Sequence, residues 1–233
     1  MSIGNFLELF SGTATVSKEA EKRGYTVRNV ELLPKFKPTY CSDIRVWDYA
    51  KDLEHFIPDI IWCSYPCCEF SNIKNMNSRP RNLEKGRELM LKGIEIIEWC
   101  LERNPELIYI YENPVGLARH QPEMKDIPFR NTVTYCHYGE DYKKPTDLFS
   151  NKKFDLKYCK GDCGKLIGNT KSHKGRICFG GKIYDSTKPS VKLRKDQNTT
   201  STTKVGSIPT SLISAILEQI TGDTDADRQN IIR

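Results

Sequence analysis

The stretch "NFLELFSGTATVSKEAEKRGYTVRNVEL", Asn5–Leu32, decides the fold class. Its first residues are apolar and run into a Ser-Gly turn, as a buried strand does. "TATVSKEAEKRGY" follows with helical spacing and a glycine stop. "TVRNVEL" is then a second short β-branched strand, ending on Glu31. A strand, a small-residue turn, a helix and a second strand form one unit of an α/β sheet.

The pattern continues outward. "TYCSDIRVWDYA" reads as a short strand and a turn carrying Asp43, and "IPDIIWCSYPCC" as a buried strand entering a Pro-Cys turn. "RNLEKGRELMLKGIEIIEWCLERNP" is a long amphipathic helix, with Leu89, Met90, Ile94, Ile97 and Leu101 near helical spacing. "LIYIYENP" is another buried strand, ending on Glu112-Asn113-Pro114. Such alternation predicts a doubly wound α/β fold, a parallel sheet covered by helices on both faces. Functional residues in these sheets gather at the C-terminal strand ends. Ser11, Glu31, Asp43, Cys67 and Glu112 all fall there.

Beyond Arg130 the character changes. "NTVTYCHYG" and "ICFGGKIY" read as strands among Lys-, Gly- and Thr/Ser-rich loops, and "SIPTSLISAILEQI" as a closing helix. Charge divides the chain in the same place. Residues 143–204 carry 16 Lys/Arg against 5 Asp/Glu, whereas residues 1–142 carry 18 against 21. This excess favours a polyanionic partner, most simply nucleic acid. The predicted organisation is a core over 1–142, a small basic region over 143–204, a returning helix over 205–221 and a polar tail over 222–233. No apolar run is long enough to span a membrane, and the N-terminus lacks a charged-then-apolar leader. Nine cysteines, an odd number, do not make a disulfide framework. The reading is a cytoplasmic or nuclear protein with reduced thiols.

Phe10, Ser11, Gly12 and Thr13 form a turn where backbone can approach a ligand and a helix N-terminus favours an anionic group. Glu31, about twenty residues on, is placed to hold ribose hydroxyls, and Asp43-Ile44 to meet an adenine amino group. Together they suggest an adenosine-containing cofactor; each alone reads better as turn and cap chemistry. The adjacent thiols of "SYPCCEFS", Ser64–Ser71, leave several readings open: a redox pair, half a metal site, core packing, or one nucleophile with a neighbour. A vicinal disulfide ring is strained, and no Cys-x-x-Cys is present, so a redox pair ranks low.

With these pieces in order the chain resembles the cytosine-C5 DNA methyltransferases. "LELFSG" is similar to that family's S-adenosylmethionine loop, "SYPCCEFS" to its "SPPCxxFS" nucleophile loop and "YENP" to its Glu-Asn motif. "CHYGEDYKKPTDLF" resembles its "YGxPQxRxRxF" stretch and "KVGSIPTSLISAI" its closing "GNAVPxxLxxAI" motif. All five stand in family order, and the short form looks most like the compact enzymes of phages and large DNA viruses. The resemblance implies S-adenosylmethionine as cofactor, with Pro66 and Ser207 joining the residues around it. It implies double-stranded DNA as partner, with the target base flipped out of the duplex. Cys67 would be the nucleophile and Glu112 would hold the cytosine edge. Lys144 would meet the base's O2 or a phosphate. Asn113 and Tyr142, with Lys74, Arg79 and Arg81 of the loop after the nucleophile, would lie at the nucleic acid. The sequence departs from the family at Cys68, Tyr142, Lys144 and Ser207. An RNA (tRNA) cytosine-C5 methyltransferase, or a nucleic-acid-binding module on an inactive methyltransferase fold, are the other readings.

Finally, "YCKGDCGKLIGNTKSHKGRICFG" spaces Cys159, Cys163, His173 and Cys178 as Cys-x3-Cys-x9-His-x4-Cys, a donor set that suits a structural zinc. The competing reading is a loose β-region with incidental thiols, in which His173 contacts a phosphate. Cys41, Cys63, Cys100 and Cys136 read as small buried hydrophobes.

Overall fold

The computed structural model describes residues 2–71, 80–140, 142–160, 163 and 207–222, and the backbone of two further strands. The strands are β1 (Asn5–Leu9), β2 (Thr26–Glu31), β3 (Tyr40–Cys41), β4 (Ile60–Cys63), β5 (Ile108–Pro114), β6 (Phe129–Thr134), β7 (Pro145–Ser150), β8 (Arg176–Phe179) and β9 (Lys182–Asp185). The helices are α1 (Thr15–Lys22), α2 (Tyr49–Asp52), α3 (Leu83–Leu101), α4 (Pro122–Lys125) and α5 (Thr210–Thr221). The main sheet has seven strands in the order β3-β2-β1-β4-β5-β7-β6. Neighbours pair in parallel from β3 to β5, and β7 is antiparallel to both β5 and β6. This is the strand order of the S-adenosylmethionine-dependent methyltransferase fold, the doubly wound class expected.

Side chains on a strand alternate between faces, and here both faces are covered. Phe6, Ile60, Trp62 and Ile110 pack with α1 and α5, through Val16, Ala20, Leu212 and Ile216. Leu7, Leu9, Ile61 and Cys63 pack on the other face against Met90, Ile96, Ile97 and Cys100 of α3. Gly93 lets α3 come close, because a Cβ there would sit 2.8 Å from the Cys63 sulfur. Strand β4 therefore reads as a continuous apolar run.

Two expectations change. Strand β6 ends at Thr134, and Tyr135–Tyr138 form a 3-10 turn instead of extending it. That turn buries Tyr135 beneath the sheet and ends at Gly139, whose φ of 99° a β-carbon would disfavour. The core boundary expected at residue 142 also falls short. Strand β7 lies between β5 and β6, so the sheet reaches Ser150. The lysine excess begins before the sheet is complete, because Lys143 and Lys144 precede a core strand. Buried Asp147 of β7 is held there by Arg119, at 2.6 and 2.8 Å, and by the Thr132 hydroxyl at 2.7 Å. Among the described residues, no helix is long and apolar enough to cross a membrane.

Candidate active site

The turn after β1 takes three left-handed steps, at Phe10, Gly12 and Ala14 (φ 60°, 50° and 54°). Non-glycine residues rarely accept this, and such strain concentrates at ligand sites. Nothing lies within 4 Å of where a Gly12 β-carbon would be, so the turn's backbone faces open space. Ala14 begins α1 without a side-chain cap; Glu8 accepts from Ser17 N at 2.8 Å, and the helix start ahead of it favours an anionic group. The Ser11 hydroxyl is buried and makes no hydrogen bond to a protein group. Glu31 supports the turn from β2: its carboxylate accepts from Gly12 N at 2.9 Å and Leu33 N at 3.1 Å.

A cavity of about 400 Å3 opens beside this turn. It brings together Phe10, Glu31, Asp43, Ile44 and Pro66, five of the expected cofactor residues. Its size is in the range of small-molecule and cofactor sites. Asp43 is already gripped by the Arg45 guanidinium, which holds its carboxyl below the usual range. Thr13 meets the closing segment, its hydroxyl 3.5 Å from that of Ser207. Leu89 and Ser64 also line the cavity. The sequence showed Leu89 only as part of an apolar helix face, and Ser64 carried no signal of its own. The residues present fit S-adenosylmethionine. The capless helix start and unpartnered Ser11 hydroxyl suit its amino-acid end. The apolar wall with two carboxylates suits its adenosine.

Pro66 carries the cavity wall to Cys67, which follows β4. Cys67 is half-buried and Cys68 is exposed, so the adjacent thiols are unequal. Burial pushes the Cys67 thiol up to about 11; the Lys144 charge opposes this, while Glu112 and Cys68 add to it. Glu112, on β5, is also raised, first by burial, with Lys144, Ser64 and Tyr135 favouring its charged form. Lys144 is thus the strongest electrostatic neighbour of both groups, and its ammonium lies 4.6 Å from the centre of the Tyr135 ring. A polar chain orients Glu112. Trp62 Nε1 donates to Ser64 Oγ at 2.9 Å, Ser64 bonds Glu112, and the Tyr135 hydroxyl donates to Glu112 Oε1 at 3.3 Å. The sequence shows Tyr135 only as a strand residue.

The residues expected at the nucleic acid divide. Asn113 is fully buried, and its amide donates to the Tyr65 carbonyl at 3.0 Å. Tyr142 is buried as well, at 1 % exposure. Both lie beneath the surface because β5 and the approach to β7 are interior. Arg81 donates to the Glu69 and Ser71 carbonyls at 2.7 and 2.9 Å, closing the Cys67 loop onto the start of α3. Lys74 and Arg79 lie outside the described residues. So does His173, and Cys178 lies on β8, of which only the backbone is described. Cys159 and Cys163 do converge, but with Cys136, their sulfurs all within 4.8 Å of one another.

Known proteins resemble this chain in sequence and in fold. A probable DNA (cytosine-5)-methyltransferase of Frog virus 3 (isolate Goorha) is 32% identical over 185 residues, 73% of this chain and 82% of that protein. The solved Entamoeba histolytica methyltransferase EhMeth has a similar fold, with a TM-score of 0.51 at 14% identity, over 92% of this chain and 96% of that one. The S. pombe Dnmt2 methyltransferase matches more loosely, with a TM-score of 0.43 at 13% identity over 71% of this chain and 55% of that one. No family model matches the sequence.

Proposed function

Since the chain belongs to the cytosine-C5 methyltransferase family, we propose that it transfers a methyl group from S-adenosylmethionine to C5 of cytosine in double-stranded DNA. One observation carries the reading: Cys67 and Glu112, from neighbouring strand ends, share Lys144 as electrostatic partner beside the cofactor-sized cavity. The viral relative's description supports DNA as the substrate. The net +11 of residues 143–204 supports a polyanion. A cytoplasmic or nuclear site of action follows from such a substrate.

Cytosine C5 is a poor nucleophile, and this chain's residues change that. The target base is flipped from the duplex into the site. Cys67 Sγ bonds to C6 as the thiolate, and C5 becomes enamine-like. Glu112, whose burial favours its protonated form, holds the N3–N4 edge and protonates N3 as the C6 bond forms. Lys144 stabilises the thiolate before attack and faces the base's O2 or a phosphate. Phe10 to Thr13, Glu31, Asp43, Ile44, Pro66 and Ser207 hold the cofactor, which when bound supplies an electrophilic methyl group. After C5 is methylated its proton passes to water, the C6–S bond breaks to release the Cys67 thiolate, and N3 returns its proton to Glu112.

Transfer of tritiated methyl groups to duplex DNA of mixed sequence tests this, with tRNA in parallel. Label is expected in DNA cytosine, absent with Cys67→Ala and retained with Cys68→Ser. Label in tRNA alone would move the substrate to RNA. DNA binding without transfer to any sequence would leave a binding module. Loss in Cys68→Ser with retention in Cys67→Ser would place the nucleophile one residue later.

A further inference from the structure

Three thiols outside the active site come together where the chain leaves the sheet. Cys136 sits in the 3-10 turn after β6, and Cys159 and Cys163 follow β7. Their sulfurs lie within 4.8 Å of one another. A tetrahedral zinc with Zn–S of about 2.3 Å requires sulfurs about 3.8 Å apart. The cluster therefore needs only a small contraction to close on an ion.

The trio stands apart from the two apolar clusters. Cys63 and Cys100 show what a packing cysteine looks like here: both belong to the apolar cluster under α3. Cys136 and Cys159 are as buried, at 2 % and 0 % exposure, yet belong to neither apolar cluster. Cys136 meets the Thr134 hydroxyl as well as Cys159, and Cys163 is half-buried at the edge of the trio. A disulfide could join only two of the three.

The surrounding backbone is already fixed. Cys159 N donates to the Thr134 hydroxyl at 2.7 Å, and Lys157 N donates to the Tyr138 hydroxyl at 2.8 Å. Lys143 Nζ donates to the Cys159 carbonyl at 3.0 Å. Three thiolates and a zinc ion carry a net charge of about −1, and the Lys143 ammonium lies beside them to balance it.

We propose that Cys136, Cys159 and Cys163 bind one structural zinc ion, pinning the start of the basic region to the turn that carries Tyr135. The fourth ligand comes from outside this trio. The site differs from the sequence's set in its anchor, Cys136, which belongs to the catalytic core and lies 23 residues before Cys159. It also couples the basic region to the active site, because Tyr135, the residue before Cys136, bonds Glu112.

Metal content of the full-length protein, purified under reducing conditions, tests this independently of methyl transfer. About one zinc per chain is expected. It should be lost in Cys136→Ser and in Cys159→Ser and kept in Cys41→Ser. Cobalt replacement should give thiolate-to-metal charge-transfer absorption. Should Cys136→Ser fail to fold, the wild type still answers. Stripping its zinc with a chelator should open Cys136 to alkylation while Cys100 stays protected. Three results would overturn the proposal: no bound zinc, zinc retained by Cys136→Ser, or Cys136 alkylation unchanged when zinc is removed.

Discussion

The side-chain amide of Asn113 donates to the main-chain carbonyl of Tyr65 across 3.0 Å of fully buried interior, tying the end of β5 to the residue before Pro66-Cys67. The motif that supplies Glu112 thereby shapes the turn that presents Cys67. In Asn113→Ala the Tyr65 carbonyl loses this partner, which costs about 1–3 kcal/mol for a buried group. A lower denaturation midpoint is expected, with methyl transfer falling further than cofactor affinity. Unchanged transfer alongside a lowered midpoint would show that the bond serves stability alone.

Gly116 makes the second tie. Its neighbour Leu117 N donates to the Phe70 carbonyl at 2.8 Å, and Gly116 bridges Ser71. A β-carbon at Gly116 would stand 2.3 Å from that carbonyl oxygen, too close for any rotamer to relieve. Its φ is extended, so contact and not backbone preference demands glycine. Gly116→Ala should force the loop after Cys67 away from β5. Transfer should be lost while cofactor binding, measured by calorimetry, survives. A fully active Gly116→Ala enzyme would mean that the loop works in another position.

Lys144 should govern the Cys67 thiol. Burial pushes that thiol up to about 11, and Lys144 is the main influence holding it down. Removing the charge in Lys144→Met must raise it further, and each unit of pKa costs about tenfold in thiolate at neutral pH. Alkylation of Cys67 followed against pH should move to higher pH in Lys144→Met and stay near wild type in Lys144→Arg. Overlapping curves for wild type and Lys144→Met would remove Lys144 from any role in activation.

Much of this was legible in the sequence. Strand–turn–helix alternation depends on local periodicity, and the sheet from β1 to β5 follows from it. That Phe10, Glu31, Asp43, Ile44 and Pro66 line one cavity was legible for the same reason, since strand ends of a parallel sheet converge. Strand β7 was not, because Pro145–Ser150 reads as a polar, lysine-flanked stretch whose burial comes from pairing with β5 and β6. Tyr135 and Ser64 were missed because their value lies in a contact with Glu112, 23 and 48 residues away in sequence. Asn113 illustrates the converse. Its motif set it at the nucleic acid, whereas the structure buries it against the Tyr65 carbonyl, because a motif does not say whether a side chain faces the substrate or the core.

Glu8 gives the last prediction. It is a carboxyl buried in the middle of β1, facing α1, where Ser17 N and the Ser17 hydroxyl donate to it at 2.8 and 2.5 Å. Burial outweighs these bonds and the nearby Lys18, and Glu31 adds repulsion, so its pKa rises from 4.5 to about 7. The unfolded chain sheds this proton near pH 4.5 and the folded chain near pH 7. Between those values the folded state holds more proton, so stability declines as pH rises, and the loss is complete above the folded pKa. The shift corresponds to about 3 kcal/mol. Glu8→Gln keeps an acceptor for Ser17 and has no proton to lose. Across that window, urea denaturation should show the wild type losing about this much stability relative to the variant. Parallel stability curves for the two proteins would mean that Glu8 ionises normally despite its burial.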